Sequence, residues 1–156
     1  LNVFFREAVE LVESHGGMVN KFLGDGFMAL FGIGKTSDHH AQRAVDAGKA
    51  MLRWVAESRP LFEQAGWPDL EIGIGINTGT AVVGSIGSPK RQEYTAIGDT
   101  VNVAARVESL TKELGCHLIV TQSTAEQLTA ETTMRDLPPQ RVKGKADPIN
   151  VFAIEY

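Results

Sequence analysis

A chain of 156 residues, 43% apolar and 22% charged, has the size and balance of one globular domain with a buried core. Its net charge of −4 argues against a general nucleic-acid binder, which carries a basic patch, but leaves room for a local cationic pocket. The lone Cys116 excludes an internal disulfide framework and fits a reducing compartment, and no apolar run reaches the ~20 residues that span a bilayer.

Residues 2–15 carry a helical period, with Phe4, Phe5, Ala8, Val9 and Val12 on one stripe and Gly16-Gly17 as the stop. Two apolar runs then flank Gly24-Asp25, predicting a hairpin over 18–23 and 26–31, because Asp and Gly tolerate the positive φ of a tight primed turn. The turn holds Asp25 at the tip of a ribbon, with Lys21 one strand-length back. A carboxylate there suits a hard divalent cation; the lysine suits an anion or a base carbonyl or ring nitrogen. On these residues alone a solvated turn with an ordinary surface lysine is the commoner reading, since Asp-Gly turns are common. Gly32 to Ser37 is expected as loop, with Ser37 or Asp38 capping the next helix. That helix has Ala41, Ala44, Val45, Gly48, Met51, Leu52 and Val55 inside and runs to about Gln64 unless Pro60 breaks it.

Leu70 to Ile76 alternates, with Leu70, Ile72, Ile74 and Ile76 on one face and two glycines, Gly73 and Gly75, baring the other. A bare face admits another backbone, a partner or a ligand. A second strand is expected over 80–86, a polar loop over 87–92, and a short extended piece over 93–97. A helix opens at Asp99 or Thr100 and closes at Gly115, with Val101, Ala104, Val107, Leu110 and Leu114 as its core stripe. A strand over 117–120, a short helix over 121–128 and two strands around the basic loop 141–145 complete the chain. The expected fold is α+β, an α/β sandwich in which helices cover a largely antiparallel sheet.

Asn102 and Arg106, spaced i, i+4, stand one above the other on a helix face, with Ser109 beside them. Asn can orient a sugar or a water, and Arg offers a rigid cationic fork for phosphate, although taken alone such a pair is more often a solvated helix face. The apolar, tightly turned Tyr94 to Asp99 implies that this helix start is partly buried. Lys143-Gly144-Lys145 is a cationic loop of the kind that binds polyphosphate, though a pair of surface lysines more often meets only water. Gly34-Lys35-Thr36 is not a P-loop, since position 29 is Ala and lies in strand. Gly73-x-Gly75 is not a dinucleotide fingerprint, since Thr78 stands where the third glycine belongs. His39-His40 is expected to face solvent without a metal.

Taken in order, these blocks closely resemble the class III nucleotidyl cyclase catalytic domain with its ferredoxin-like core. The resemblance is carried by Gly16-Gly17 with Lys21-Phe-Leu-Gly-Asp25-Gly26, by Gly75-Ile-Asn-Thr-Gly79 with Val83-Gly84, by Tyr94-Thr95-Ala-Ile-Gly98-Asp99-Thr-Val-Asn102-Val-Ala-Ala-Arg106, and by Lys143-Gly-Lys145. It covers nearly the whole chain, and ordered blocks at family-like spacing are far more specific than any one of them.

The resemblance implies an adenylyl cyclase that converts ATP to 3′,5′-cyclic AMP and pyrophosphate with two cations, Mg2+ or Mn2+, per complete site. It makes Asp25 one of two metal-binding aspartates, Lys21 and Thr95 the purine-selecting pair, Asn102 the ribose-orienting residue and Arg106 the transition-state arginine. Lys145, ahead of Lys143, becomes the β/γ-phosphate lysine. Lysine with threonine or aspartate at the purine positions resembles adenylyl rather than guanylyl cyclases. Sites of this family lie between two domains, so a chain holding both residue sets implies a homodimer; the bare face of 70–77 is then a candidate part of the interface or cleft. The partners implied are ATP and a second copy, with no nucleic acid polymer, in a cytoplasmic setting. Sensor, regulatory or membrane modules are implied in a longer protein.

One departure is visible. No Asp-x-x-Gly-Phe-Thr-like segment occurs, and the chain starts in a helix without Met. Residues 1–156 are therefore expected to be a single, N-terminally incomplete catalytic domain, with little turnover and a weakened fold alone. The competing readings are a cyclase-like module that binds nucleotide without turnover and, below it, a guanylyl cyclase.

Overall fold

The computed structural model describes residues 2–34 and 38–156. The Ser37 cap and the Lys35-Thr36 of the rejected P-loop lie outside the described residues, as does part of the expected 32–37 loop. Helix α1 spans Asn2–Ser14, followed by strands β1 (Gly17–Leu23) and β2 (Gly26–Phe31), close to the predicted hairpin. The hairpin is antiparallel, with a bulge between Val19 and Lys21 that leaves Asn20 out of register.

Helix α2 (His40–Glu57) starts one residue later than a cap at Asp38 requires. His39 occupies the N-cap in the left-handed region, at φ 56°, with no side-chain cap. The helix stops at Ser58, and Pro60 sits in the first turn of a new helix α3 (Arg59–Gln64), where its missing N–H breaks no bond. The expected strand over 70–76 forms ladder bonds only as β3 (Ile74–Ile76). Strands β4 (Val82–Ser88) and β5 (Arg91–Ile97) form a hairpin that absorbs most of the expected 87–92 loop, leaving a two-residue turn at Pro89-Lys90. Then follow α4 (Asp99–Leu114), β6 (Leu118–Thr121), α5 (Gln122–Ala125), β7 (Met134–Asp136) and β8 (Val151–Ile154).

Among the described residues the strands form three sheets: β1-β2, β4-β5 and a four-stranded β3-β6-β8-β7. Antiparallel pairing dominates; the parallel pair is β3-β6. Strand β6 is buried on both faces, which is why Leu118 to Val120 reads as an unbroken apolar run. Ile119 packs with Val103, Val107 and Leu110 of α4. Leu118 and Val120 pack with Val45 and Leu52 of α2. A separate cluster joins Phe4, Ala8 and Val12 of α1 to Met51, Val55 and Phe62, with Val19, Phe27 and Ala29 of the hairpin against it. Fully burying one such side chain is worth about 1.5–3 kcal/mol.

The bare glycine face is neither cleft nor interface: α4 of the same chain lies on it. A Cβ at Gly75 would stand 2.2 Å from the Glu108 amide nitrogen, and one at Gly73 would stand 2.1 Å from the Thr111 hydroxyl. This close approach also turns α4 from its expected stripe. Val103, Val107, Leu110 and Thr111 are buried, while Val101 and Ala104 are only half-buried.

Candidate active site

The N-terminus of α4 is set by a polar network that begins in the turn after β3. Asn77 donates from Nδ2 to the Thr100 carbonyl at 3.0 Å, and Thr100 donates from its hydroxyl to the Thr80 carbonyl at 2.6 Å. The Asn77 Oδ1 in turn accepts from Thr121 at 2.7 Å and from Ser123 at 3.1 Å. Gly98, at φ 134°, supplies the sharp entry into the helix. Neither Asn77 nor Thr100 stands out locally in the sequence, because the partners of Asn77 lie 23 to 46 residues away.

From that anchored start α4 presents Asn102 and Arg106 on one exposed face. The helix start is partly buried, as the apolar approach implies: Thr100 and Val101 are half-buried, while Gly98 and Asp99 are open. Arg106 reaches two turns along the helix to Glu113 at 3.4 Å, with both side chains about half exposed. Exposed pairs of this kind are worth ~0–1 kcal/mol, so an incoming anion can take the guanidinium at little cost. Lys145 forms an ion pair with Asp99, which draws the 141–147 loop to the first turn of α4. Gly144, at φ 88°, makes that loop turn. Lys143 is exposed and has no ion pair among the described residues. Asn102, Arg106 and Lys145 are thus gathered along one helix from two distant segments.

The second grouping is at the bulge of β1. Asn20 donates from Nδ2 to the Tyr94 carbonyl at 2.7 Å, and its Oδ1 accepts from the Thr95 hydroxyl at 3.1 Å. This clamp ties β1 to β5 and brings Lys21 and Thr95 onto neighbouring strands. A shallow cavity of about 370 Å³ opens there, lined by Asn20, Lys21, Phe22, Glu93 and Tyr94. Thr95, next along β5 from Tyr94, is only 5% exposed and is not among the lining residues. Asn20 is the residue that sequence reasoning missed, since its partners are more than seventy residues away and its only local mark is the bulge.

Asp25 is exposed at the hairpin tip, where Gly24 takes φ 63°. Its carboxylate fits one position in the oxygen shell of Mg2+ or Mn2+. Among the described residues no group of three or more His, Cys, Asp or Glu gathers to hold a metal ion, so Asp25 offers one ligand of a set, not a whole site. A second cavity, of about 420 Å³, is lined by Cys116, His117, Arg135 and Tyr156 among others and contains none of the predicted site residues. There the Tyr156 hydroxyl meets His117 Nδ1 at 2.8 Å, and burial, then the Glu71 carboxylate, raise the phenol pKa.

Comparison with known proteins agrees on one family. Residues 1–155 match the family model for the adenylate and guanylate cyclase catalytic domain. An adenylate cyclase of Anabaena cylindrica is 34% identical over 99% of this chain and 31% of its own length. The terminal-differentiation-specific adenylate cyclase of Dictyostelium discoideum is 35% identical over 99% of this chain and 7% of its own. The chain therefore spans a third or less of these curated relatives. The adenylyl cyclase CyaB of P. aeruginosa superposes with a TM-score of 0.90 at 30% identity, covering 99% of this chain and 80% of that one. The guanylyl cyclase Cya2 superposes at 0.85 with 34% identity, over 99% and 77%. The α+β sandwich is the fold of these catalytic domains, and the chain belongs to the adenylate and guanylate cyclase catalytic domain family.

Proposed function

We propose that this domain is the catalytic part of an adenylyl cyclase, acting as a homodimer to convert ATP to 3′,5′-cyclic AMP and pyrophosphate. The observation that carries the proposal is the assembly on α4: Asn102 and Arg106 on an open face, with Lys145 tethered to the same helix through Asp99. These are a sugar-orienting amide and two phosphate-binding cations within one helix length.

The ribose 3′-hydroxyl loses its proton to solvent, its oxygen attacks the α-phosphorus, a new O–P bond forms, and the bond to the pyrophosphate oxygen breaks. Asn102 hydrogen-bonds the ribose and holds that oxygen toward phosphorus. Arg106 exchanges Glu113 for the phosphoryl oxygens, where its fork meets the charge that grows in the transition state. Lys145 exchanges Asp99 for the β- and γ-phosphates and stabilises the departing pyrophosphate. Lys143, untethered, is the lesser candidate for that role.

Domains of this family generally use divalent metal ions. We assign Asp25 as one ligand of a two-ion Mg2+ or Mn2+ site; when bound, such ions supply neutralisation of the triphosphate and a more acidic attacking hydroxyl. Phe22, Leu23, Val82, Val83, Tyr94 and Ile97 are all exposed, and this apolar surface beside the site supports pairing with a second copy. In that arrangement Lys21 and Asp25 of one ribbon serve different active sites. Among the described residues no helix is long and apolar enough to cross a membrane. The proposal carries a cytoplasmic setting, where ATP is held, and attached sensor, regulatory or membrane modules in the longer protein.

ATP is favoured over GTP by Lys21 and Thr95, since overall similarity reaches both an adenylyl and a guanylyl cyclase. Lysine is a donor only, which suits the unprotonated ring N1 of adenine and opposes the N1–H of guanine. In the full-length protein, Lys21→Glu with Thr95→Cys is expected to lower the ATP/GTP ratio of kcat/KM by at least about tenfold, the size of one hydrogen bond to a charged group. Product formation from Mn-ATP and Mn-GTP, measured side by side, checks this; an unchanged ratio removes the assignment of these two positions.

A further inference from the structure

We infer that Asn20 is a positioning residue for purine selection: it fixes the direction of the Thr95 hydroxyl, so that the hydroxyl can only accept from the base. The inference rests on the proposed role of Thr95 and extends it to a residue outside the expected set. The orientation of the Asn20 amide is determined by its surroundings. The Tyr94 carbonyl, 2.7 Å away, can only accept, so the amide must turn its NH2 there and its Oδ1 toward Thr95. The Thr95 hydroxyl has one hydrogen, and the Oδ1 at 3.1 Å takes it; the Ala96 carbonyl at 3.5 Å is the longer alternative.

What remains on the Thr95 oxygen is a lone pair. A lone pair is matched by the 6-amino group of adenine and opposed by the 6-oxo group of guanine. The hydrogen bonds then run in one sense, from base amine to Thr95, to Asn20, to the Tyr94 carbonyl, and each polarises the next. With Asn20 removed, the hydroxyl can rotate and donate, and a 6-oxo purine meets no penalty. The bulge that puts Asn20 out of register in β1 is what turns its amide to β5, and Asn20 and Lys21 line the same cavity.

The test is a double-mutant cycle in the full-length protein. Asn20→Ala, Thr95→Val and the double variant are each compared with the parent in ATP/GTP selectivity. Selectivity is read as product formation and as displacement of a fluorescent nucleotide by ATP and by GTP, so a binding readout exists even where turnover is low. Asn20→Ala is expected to lower the ATP/GTP ratio about three- to tenfold in the parent, the range of one neutral hydrogen bond. It is expected to leave the ratio unchanged in the Thr95→Val background, because a residue acting through Thr95 has nothing to act on there. A purely structural clamp would change thermal stability and both substrates alike without moving the ratio, and that result overturns the inference. Equal shifts in both backgrounds also overturn it, since Asn20 would then touch the base itself. If Thr95→Val alone leaves selectivity unchanged, the role of Thr95 falls and the inference falls with it. If Thr95→Val shifts selectivity and Asn20→Ala does not, only the inference falls.

Discussion

Arg106→Ala is expected to lower kcat for cyclic AMP formation by about 10²–10³-fold, with KM for Mn-ATP changed by less than about threefold. The asymmetry follows from where the guanidinium sits. In the resting chain Arg106 is exposed and held only by Glu113 at 3.4 Å, so its removal costs almost no folding energy. In the proposed role its contribution is confined to the moment when charge builds on the phosphoryl oxygens, where a rigid fork of donors is already in place. Arg106→Lys keeps the charge and loses the fork, and is expected to recover less than a tenth of the lost rate. Steady-state kinetics beside a melting curve make the check: an unchanged Tm with a large fall in kcat is expected. A variant keeping more than about a tenth of parental kcat would remove Arg106 from the transition state.

Much of this arrangement is legible in the sequence because it is local. Helix α1 shows as a stripe of apolar residues, and the β1–β2 hairpin shows as Asp-Gly between two apolar runs, each decided by neighbours within a few positions. Asn102 and Arg106 share a face by simple helical spacing. What the sequence leaves open is long-range. The apolar residues 101, 103, 104, 107, 110 and 114 permit more than one stripe on α4, and the choice falls to the strand it packs on. Gly73 and Gly75 announce that something comes close, but not that it is the backbone of α4. The Asn20–Thr95 contact closes 75 residues of chain through a bulge that no periodicity marks. The Asp99–Lys145 pair, which distinguishes Lys145 from Lys143, depends on how the 141–147 loop turns at Gly144.

Gly75→Ala is expected to be strongly destabilising, lowering Tm by roughly 6–12 °C, that is, about 3 kcal/mol or more at the few degrees per kcal/mol of a chain this size. The added Cβ would lie 2.2 Å from the Glu108 nitrogen, 2.7 Å from its Cα and 2.8 Å from the Val107 carbonyl carbon. All three are backbone atoms in the middle of a helix, so no rotamer change relieves the overlap. Strand β3 and helix α4 must separate by more than an ångström, and α4 carries the packing of Val103, Val107 and Leu110 with it. It also carries Asn102, Arg106 and the Asp99 tether, so turnover is expected to fall together with stability, unlike in Arg106→Ala. Gly48→Ala is the matched control in the neighbouring cluster. Its Cβ would meet only the Leu118 and Ile74 side-chain tips, at 3.4–3.6 Å, and alanine in a helix gains up to about 1 kcal/mol over glycine. That variant is expected to melt at or slightly above the parent temperature. If Gly75→Ala also melts within about 2 °C of the parent, the close approach of β3 and α4 is not what fixes the helix that presents the site.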